Sequence, residues 1–289
     1  MHRFLRTVGF SDIRKKDLEI IIRDIIDRPD ILKVTKDSEG YEFAELTSEY
    51  APGIGIKVCG TYDEDDQFHV DYYYPFANAN NFTTKETIEI QKHSDREAYA
   101  GICDEVNLGV TLIFYIQNVA DYLSEKRVQD NVLIHGVNLA GLSTEGTILL
   151  PVQKKQEREQ QHDRKVSQHN QLIAQAREGN EEAIESLTLE DMDTYSLLSR
   201  RIAKEDVFSI VTTYFMPYGI ESDQYGILGE ILDLRLEENR WTQEQIYCMK
   251  IACNDIIFDV YINKNDLLGE PEIGRRFKGN IWMQGVLNL

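Results

Sequence analysis

The stretch that decides the fold is residues 245–263, Gln-Ile-Tyr-Cys-Met-Lys-Ile-Ala-Cys-Asn-Asp-Ile-Ile-Phe-Asp-Val-Tyr-Ile-Asn. Phe258, Val260 and Ile262 alternate with Asp259, Tyr261 and Asn263, the two-residue period of a strand with one buried face. Asn254-Asp255 is a two-residue turn of the kind that joins twisted antiparallel strands. A hairpin at 245–253 and 256–263 follows. Strand patterns at 207–215, 226–237 and 280–287 stand around it. Five strands in one short region, with glycines at 226, 229, 269, 274, 279 and 285, predict a small β-barrel over 206–289. An oligonucleotide/oligosaccharide-binding type of barrel is one option.

Upstream, Leu18, Ile21, Ile22, Ile25 and Ile26 recur at helical spacing and predict an amphipathic helix over 16–27. Strand signals follow at 41–46, 55–62 and 67–74, with the acidic turn Asp63-Glu64-Asp65-Asp66 joining the last two into a hairpin that Pro75 closes. Further runs occupy 87–91, 99–104 and 109–116, the last continuing as a helix through Tyr122. Strands at 131–138 and 146–152 complete the region. Residues 154–177 are polar and free of Pro and Gly, as a solvated helix is, and Gly179 caps them. Thr188 and Asp191 form a capping box for another helix. The expected fold is therefore α+β: a strand-rich mixed domain at 1–152, a helical connector at 153–205 and the barrel at 206–289.

The chain of 289 residues is 42% hydrophobic and 28% charged, the balance of a folded protein. Its formal net charge is −19, and none of the three segments is basic. That excludes the electrostatic footprint of a duplex-binding protein and disfavours an anionic membrane. The first residues lack the apolar core of a signal peptide, and 108–120 is too short and polar to span a bilayer. Cys59, Cys103, Cys248 and Cys253 form no Cys-x-x-Cys pair and read as buried thiols of a reducing compartment. A cytoplasmic protein is expected.

Several segments resemble a known family: 179–191 (Gly-Asn-Glu-Glu-Ala-Ile-Glu-Ser-Leu-Thr-Leu-Glu-Asp), 215–219 (Phe-Met-Pro-Tyr-Gly), 228–232 (Leu-Gly-Glu-Ile-Leu), 274–285 (Gly-Arg-Arg-Phe-Lys-Gly-Asn-Ile-Trp-Met-Gln-Gly) and 99–104. Together they are similar to an uncharacterised bacterial family, a domain of unknown function, over nearly the whole chain. The resemblance implies no activity, cofactor or catalytic residue.

No motif fixes a reaction. The acidic turn lacks the glycine and spaced ligands of a calcium loop. The six histidines form no ligand pair. Acids beside Cys103 raise its pKa rather than activate it. No Gly-rich phosphate loop appears, and no metal or cofactor is called for. The one local basic cluster is Arg275, Arg276 and Lys278, interleaved with Phe277 and followed by Trp282. At a barrel rim, with Gly274 and Gly279 at the corners and Phe277 pointing inward, these groups would take a small anionic or aromatic ligand, or an acidic peptide. The expected function is a non-catalytic cytosolic binding or adaptor protein of unidentified partner. The alternative is an enzyme whose site is assembled from distant acidic residues around a divalent metal.

Overall fold

A computed structural model describes residues 1–79, 81–92, 96–105, 108–129, 131–152 and 211–289, and within 153–210 only residues 175, 180, 186 and 208. The chain opens with a 3-10 helix (Arg3–Val8) and α1 (Lys15–Asp27). Strands β1 (Ile31–Lys36), β2 (Glu42–Ala51), β3 (Ile54–Tyr62) and β4 (Phe68–Ala77) then form an antiparallel four-stranded sheet in sequence order. Leu18, Ile21 and Ile25 are the buried stripe of α1, as the helical spacing predicts, and α1 packs on β2 and β3.

Next come β5 (Glu89–Lys92), β6 (Tyr99–Glu105), β7 (Val110–Ile116), α2 (Val119–Val128) and β8 (Gly136–Leu149). After the middle of the chain follow β9 (Tyr214–Pro217), β10 (Gln224–Glu238), β11 (Gln245–Cys253), β12 (Ile256–Asn263), β13 (Leu267–Leu268) and β14 (Arg276–Asn288). The described residues are strand-rich with few helices. The order β8-β12-β11-β10-β14 closes through pairing of β14 with β8, giving a closed five-stranded barrel. From β14 the sheet continues through β7 and β6 to β5.

The barrel interior follows from the alternation seen in the sequence. Phe258 and Val260 of β12 lie opposite Ile251 and Met249 of β11, and Val260 also neighbours Gly141 of β8. On β14, Phe277, Ile281 and Met283 share a face and are shut off from solvent. Two glycines make room for the Phe277 ring: a Cβ on Gly146 would lie 2.4 Å from it, and one on Gly279 2.6 Å. A five-stranded barrel is narrow, and this one is filled by its own side chains.

Several expectations change. Four barrel strands, not five, lie within 206–289; the fifth, β8, precedes residue 150. β9 pairs only with β10 and stays outside the closed circuit. The two strands expected at 131–138 and 146–152 fall on one long strand, β8, which includes 136–138 and 146–149 of them, while 131–135 and 150–152 lie outside any strand. Gly141 and Gly146 inside it are packing glycines: a Cβ on Gly141 would meet Ile281 at 2.8 Å. Gly279 is likewise within β14 and no corner, whereas Gly274 does turn the chain, at φ 84°. Pro75 does not close its strand. β4 runs on to Ala77, because an edge strand tolerates a residue without an N–H. The hairpin turn is as expected, with Asn254 and Asp255 both left-handed, at φ 46° and 65°.

Chain contacts divide the protein into one unit of Met1–Leu149 with Thr213–Leu289, and a second of Leu150–Thr212. These units cut the chain differently from the expected boundaries, because β8 and the later strands share one barrel. The solvated helix over 154–177, its Gly179 cap and the helix begun by Thr188 lie outside the described residues.

Candidate functional site

Arg276, Lys278 and Trp282 alternate along β14 and so share its outer face, while Phe277 turns into the barrel. Arg275 precedes the strand. It donates through Nη1 to the Glu270 carbonyl at 2.7 Å and pairs through Nη2 with Glu272 at 2.8 Å. Arg276 is only 6% exposed, and desolvation lowers its pKa. Arg276 and Lys278 each have further interaction partners.

Trp282 is the centre of an aromatic cluster drawn from four parts of the chain. Its ring stacks on Phe4 at 5.3 Å, and His2 and Tyr115 lie at 4.9 and 5.4 Å. Tyr74 meets it edge-on at 6.5 Å. The indole N–H donates to Asp223 Oδ2 at 2.7 Å. His2 Nδ1 is hidden from solvent without a hydrogen-bond partner among the described residues. Burial, helped by Arg3, pushes the imidazole down to about 4. The folded chain thus refuses a proton that the unfolded chain takes up, so this group's contribution to stability is lost as pH falls from about 6.5 through 4.

A buried polar network ties the four-stranded sheet to the second sheet. Lys57 Nζ donates to Glu45 and, at 2.7 Å, to the Gln117 carbonyl, which also accepts from the Tyr74 hydroxyl at 3.1 Å. The second Glu45 oxygen faces Ala120 N–H at 3.4 Å, at the start of α2. Gln117 Nε2 donates to the Ala77 carbonyl and to Gln284 Oε1 of β14, and Gln284 Nε2 donates to the Pro75 carbonyl. Gln117 Oε1 is buried without a hydrogen-bond partner among the described residues, so the network is not fully satisfied, but its other bonds link the packed layers.

The thiols offer no nucleophile. All four cysteines are free and buried. Burial pushes Cys103, Cys248 and Cys253 up to about 12 and raises Cys59 also. Glu105 adds to the rise at Cys103, as its acidic neighbours predict. We expect the native protein to react negligibly with an aromatic disulfide reagent at pH 8, and the denatured, unreduced protein to release four equivalents. Rapid native reaction of one thiol would show an accessible thiolate that this burial forbids.

The acidic turn is built for folding. Asp63 Oδ1 accepts the N–H groups of Asp65 and Gln67, and Oδ2 meets His69 Nε2 at 2.6 Å. The His69 bond lowers the Asp63 pKa. Among the described residues no group of three or more His, Cys, Asp or Glu side chains is placed to hold a metal ion. His93, His162 and His169 lie outside those residues.

One surface feature escaped the sequence reading. β1 pairs with β2 on one side, Leu32 opposite Leu46 and Val34 opposite Ala44, and has no ladder partner on the other among the described residues. Ile31, Leu32 and Val34 are 47%, 50% and 48% exposed. Lys33 is held at 2.7 Å by Asp121 of α2. The run of Ile31, Val34 and Thr35 just after Pro29 was the available signal, but six residues are too few for the alternation to stand out.

The fold and these surfaces define a strand-rich protein built on a closed, filled five-stranded barrel, with no helix among the described residues long and apolar enough to cross a membrane. The chain belongs to the family described as "Domain of unknown function, E. rectale Gene description (DUF3881)", which matches it over residues 5–285. No curated protein and no solved structure matches the chain.

Proposed function

We propose that this is a non-catalytic binding or adaptor protein of the cytosol that engages a partner along β1. One observation carries the reading: an edge strand with no ladder partner on one side among the described residues, packed on by α2 and carrying three half-exposed apolar side chains. Unpaired edges are templates for strand addition, and proteins with no use for them usually cover or interrupt them. Five strands are also the number in an oligonucleotide/oligosaccharide-binding type of barrel. On that reading a ligand would lie across the outer face, since the interior is filled. A net charge of −19 argues against nucleic acid there. The anionic ligand expected at Arg275, Arg276, Lys278 and Trp282 has less support, because Arg275 is engaged by Glu270 and Glu272 and Trp282 by Asp223. The acidic, metal-dependent enzyme has no described cluster in its favour.

The test is selection of displayed linear peptides on the wild-type chain, followed by affinity measurements on the double variant Leu32→Glu, Val34→Glu. Both positions are half exposed, so the variant should retain its fold by circular dichroism. Selected peptides are expected to lose at least about tenfold in affinity, the equivalent of about 1.4 kcal/mol. A selection that returns no binder, or binders indifferent to the variant, rejects the reading.

A further inference from the structure

We infer that the occupant of β1 is an extended segment of another protein, with apolar residues at alternate positions and lysine or arginine at its ends. This rests on the binding reading above and adds the chemistry of the partner.

The side chains along β1 set the alternation. Leu32 and Val34 share a face, and Leu46 and Ala44 beside them on β2 are buried. An added strand continues the pleat, so every second residue would lie next to Leu32 and Val34 and gain by being apolar. On the opposite face Lys33 is occupied by Asp121 and Thr35 is buried, so side chains there meet a surface that is already paired.

The surroundings of β1 set the charge. Asp27 and Asp30 lead into the strand, and Asp37, Glu39 and Glu42 follow it, against Arg28 and Lys36. Asp27, Asp30, Glu39 and Glu42 are exposed. Asp30 already receives Arg240 at 3.2 Å; at the turn after Lys36, Asp37, Glu39 and Glu42 stand with Glu97 against Lys36 and Lys92, and Lys92 is held by Glu97 at 2.7 Å and reaches Ser38 at 3.0 Å. A basic end on the partner would lie there. The whole chain, at −19, favours approach of a basic segment and opposes a second copy of itself.

Other edges among the described residues differ in degree. β4 has Val70 42% exposed but carries Pro75, β9 is four residues long and ends in Pro217, and β5 presents Glu89, Gln91 and Lys92 outward. The later half of β10 pairs only with β11 and has Leu232 and Leu236 39% and 46% exposed, so the β1 variant is needed to tell the two edges apart. β1 has no proline and no bulge in its pairing with β2.

The experiment uses the full chain and four dye-labelled peptides read by fluorescence anisotropy. One alternates Val and Thr between pairs of Lys. A second has Glu in place of Lys. A third has the Lys ends and a central Pro. The fourth is a scrambled sequence of the first that breaks the alternation. The Lys-flanked alternating peptide is expected to bind at least about tenfold tighter than the other three. Its affinity should fall with added salt, and it should be lost on the Leu32→Glu, Val34→Glu variant. Sedimentation should show a monomer. Equal binding of the Lys- and Glu-flanked peptides would overturn the charge assignment while leaving strand addition standing. Equal binding of the Pro-containing or scrambled peptide would reduce the effect to charge alone and overturn the inference. Binding unaltered by the β1 variant would place the peptide elsewhere. A dimer that the variant dissolves would make a second copy the occupant. Failure of all four peptides, where displayed peptides of other sequence do bind in a β1-dependent way, would refute this chemistry but not the binding function.

Discussion

Replacing Lys57 with Met is expected to destabilise the fold by about 3–5 kcal/mol, the range seen when one partner of a buried ion pair is removed. Glu45 of β2 and Lys57 of β3 pair diagonally across the ladder, and their side chains are 1% and 10% exposed. Without the ammonium, among the described residues Glu45 keeps the Ala120 N–H at 3.4 Å and the Gln117 carbonyl keeps the Tyr74 hydroxyl. Most of the cost is the desolvated carboxylate left behind, not the attraction that is lost. A second substitution makes that separable. Glu45→Leu combined with Lys57→Met removes both charges and should recover a large part of the loss, since apolar replacements of buried pairs are often neutral. Urea unfolding of the two single variants and the double variant measures the coupling. If Lys57→Met costs under about 1 kcal/mol, water reaches the pair and the network is not buried in the sense argued here.

The same network shows why the sequence conceals its sites. Its members come from β2, β3, β4, the end of β7 and β14, and nothing about Lys57 or Gln117 marks either one in the linear chain. The Trp282 cluster is similar. His2, Phe4, Tyr74 and Tyr115 surround a residue that the sequence places beside three cations, and the neighbours that matter are more than a hundred and fifty positions away. What is local was legible. The stripe on α1, the β3–β4 hairpin with its acidic turn, and the β11–β12 hairpin with its left-handed Asn254-Asp255 each depend on a few adjacent residues. Closure of the barrel was legible only as a strand count, because β8 joins it from across the middle of the chain. Glycine was the misleading signal. In β8 and β14 it serves close packing of large side chains, yet in sequence it reads as a break.

Phe277 and its glycines turn that last point into a measurement. Phe277→Ala is expected to cost about 3–5 kcal/mol, the range for truncating a fully buried phenylalanine, since the ring fills the space above both Gly146 and Gly279. Gly146→Ala alone should also destabilise, by about 1–3 kcal/mol, through overpacking. Its new methyl would sit 2.4 Å from the Phe277 ring and 3.0 Å from Ile262 Cδ1. Gly146 is not among the residues with positive φ, so the backbone itself does not penalise alanine there. The two changes should therefore compensate. With Phe277 truncated, two of the three closest contacts to the new methyl disappear, and the methyl takes up part of the cavity. The double variant should be more stable than the sum of the single effects by about 1–3 kcal/mol, the size of coupling found between residues in contact. Thermal or urea unfolding of the three variants against wild type gives the coupling directly. Strict additivity would mean that Gly146 and Phe277 do not share a space, and that the glycine in β8 serves the backbone after all.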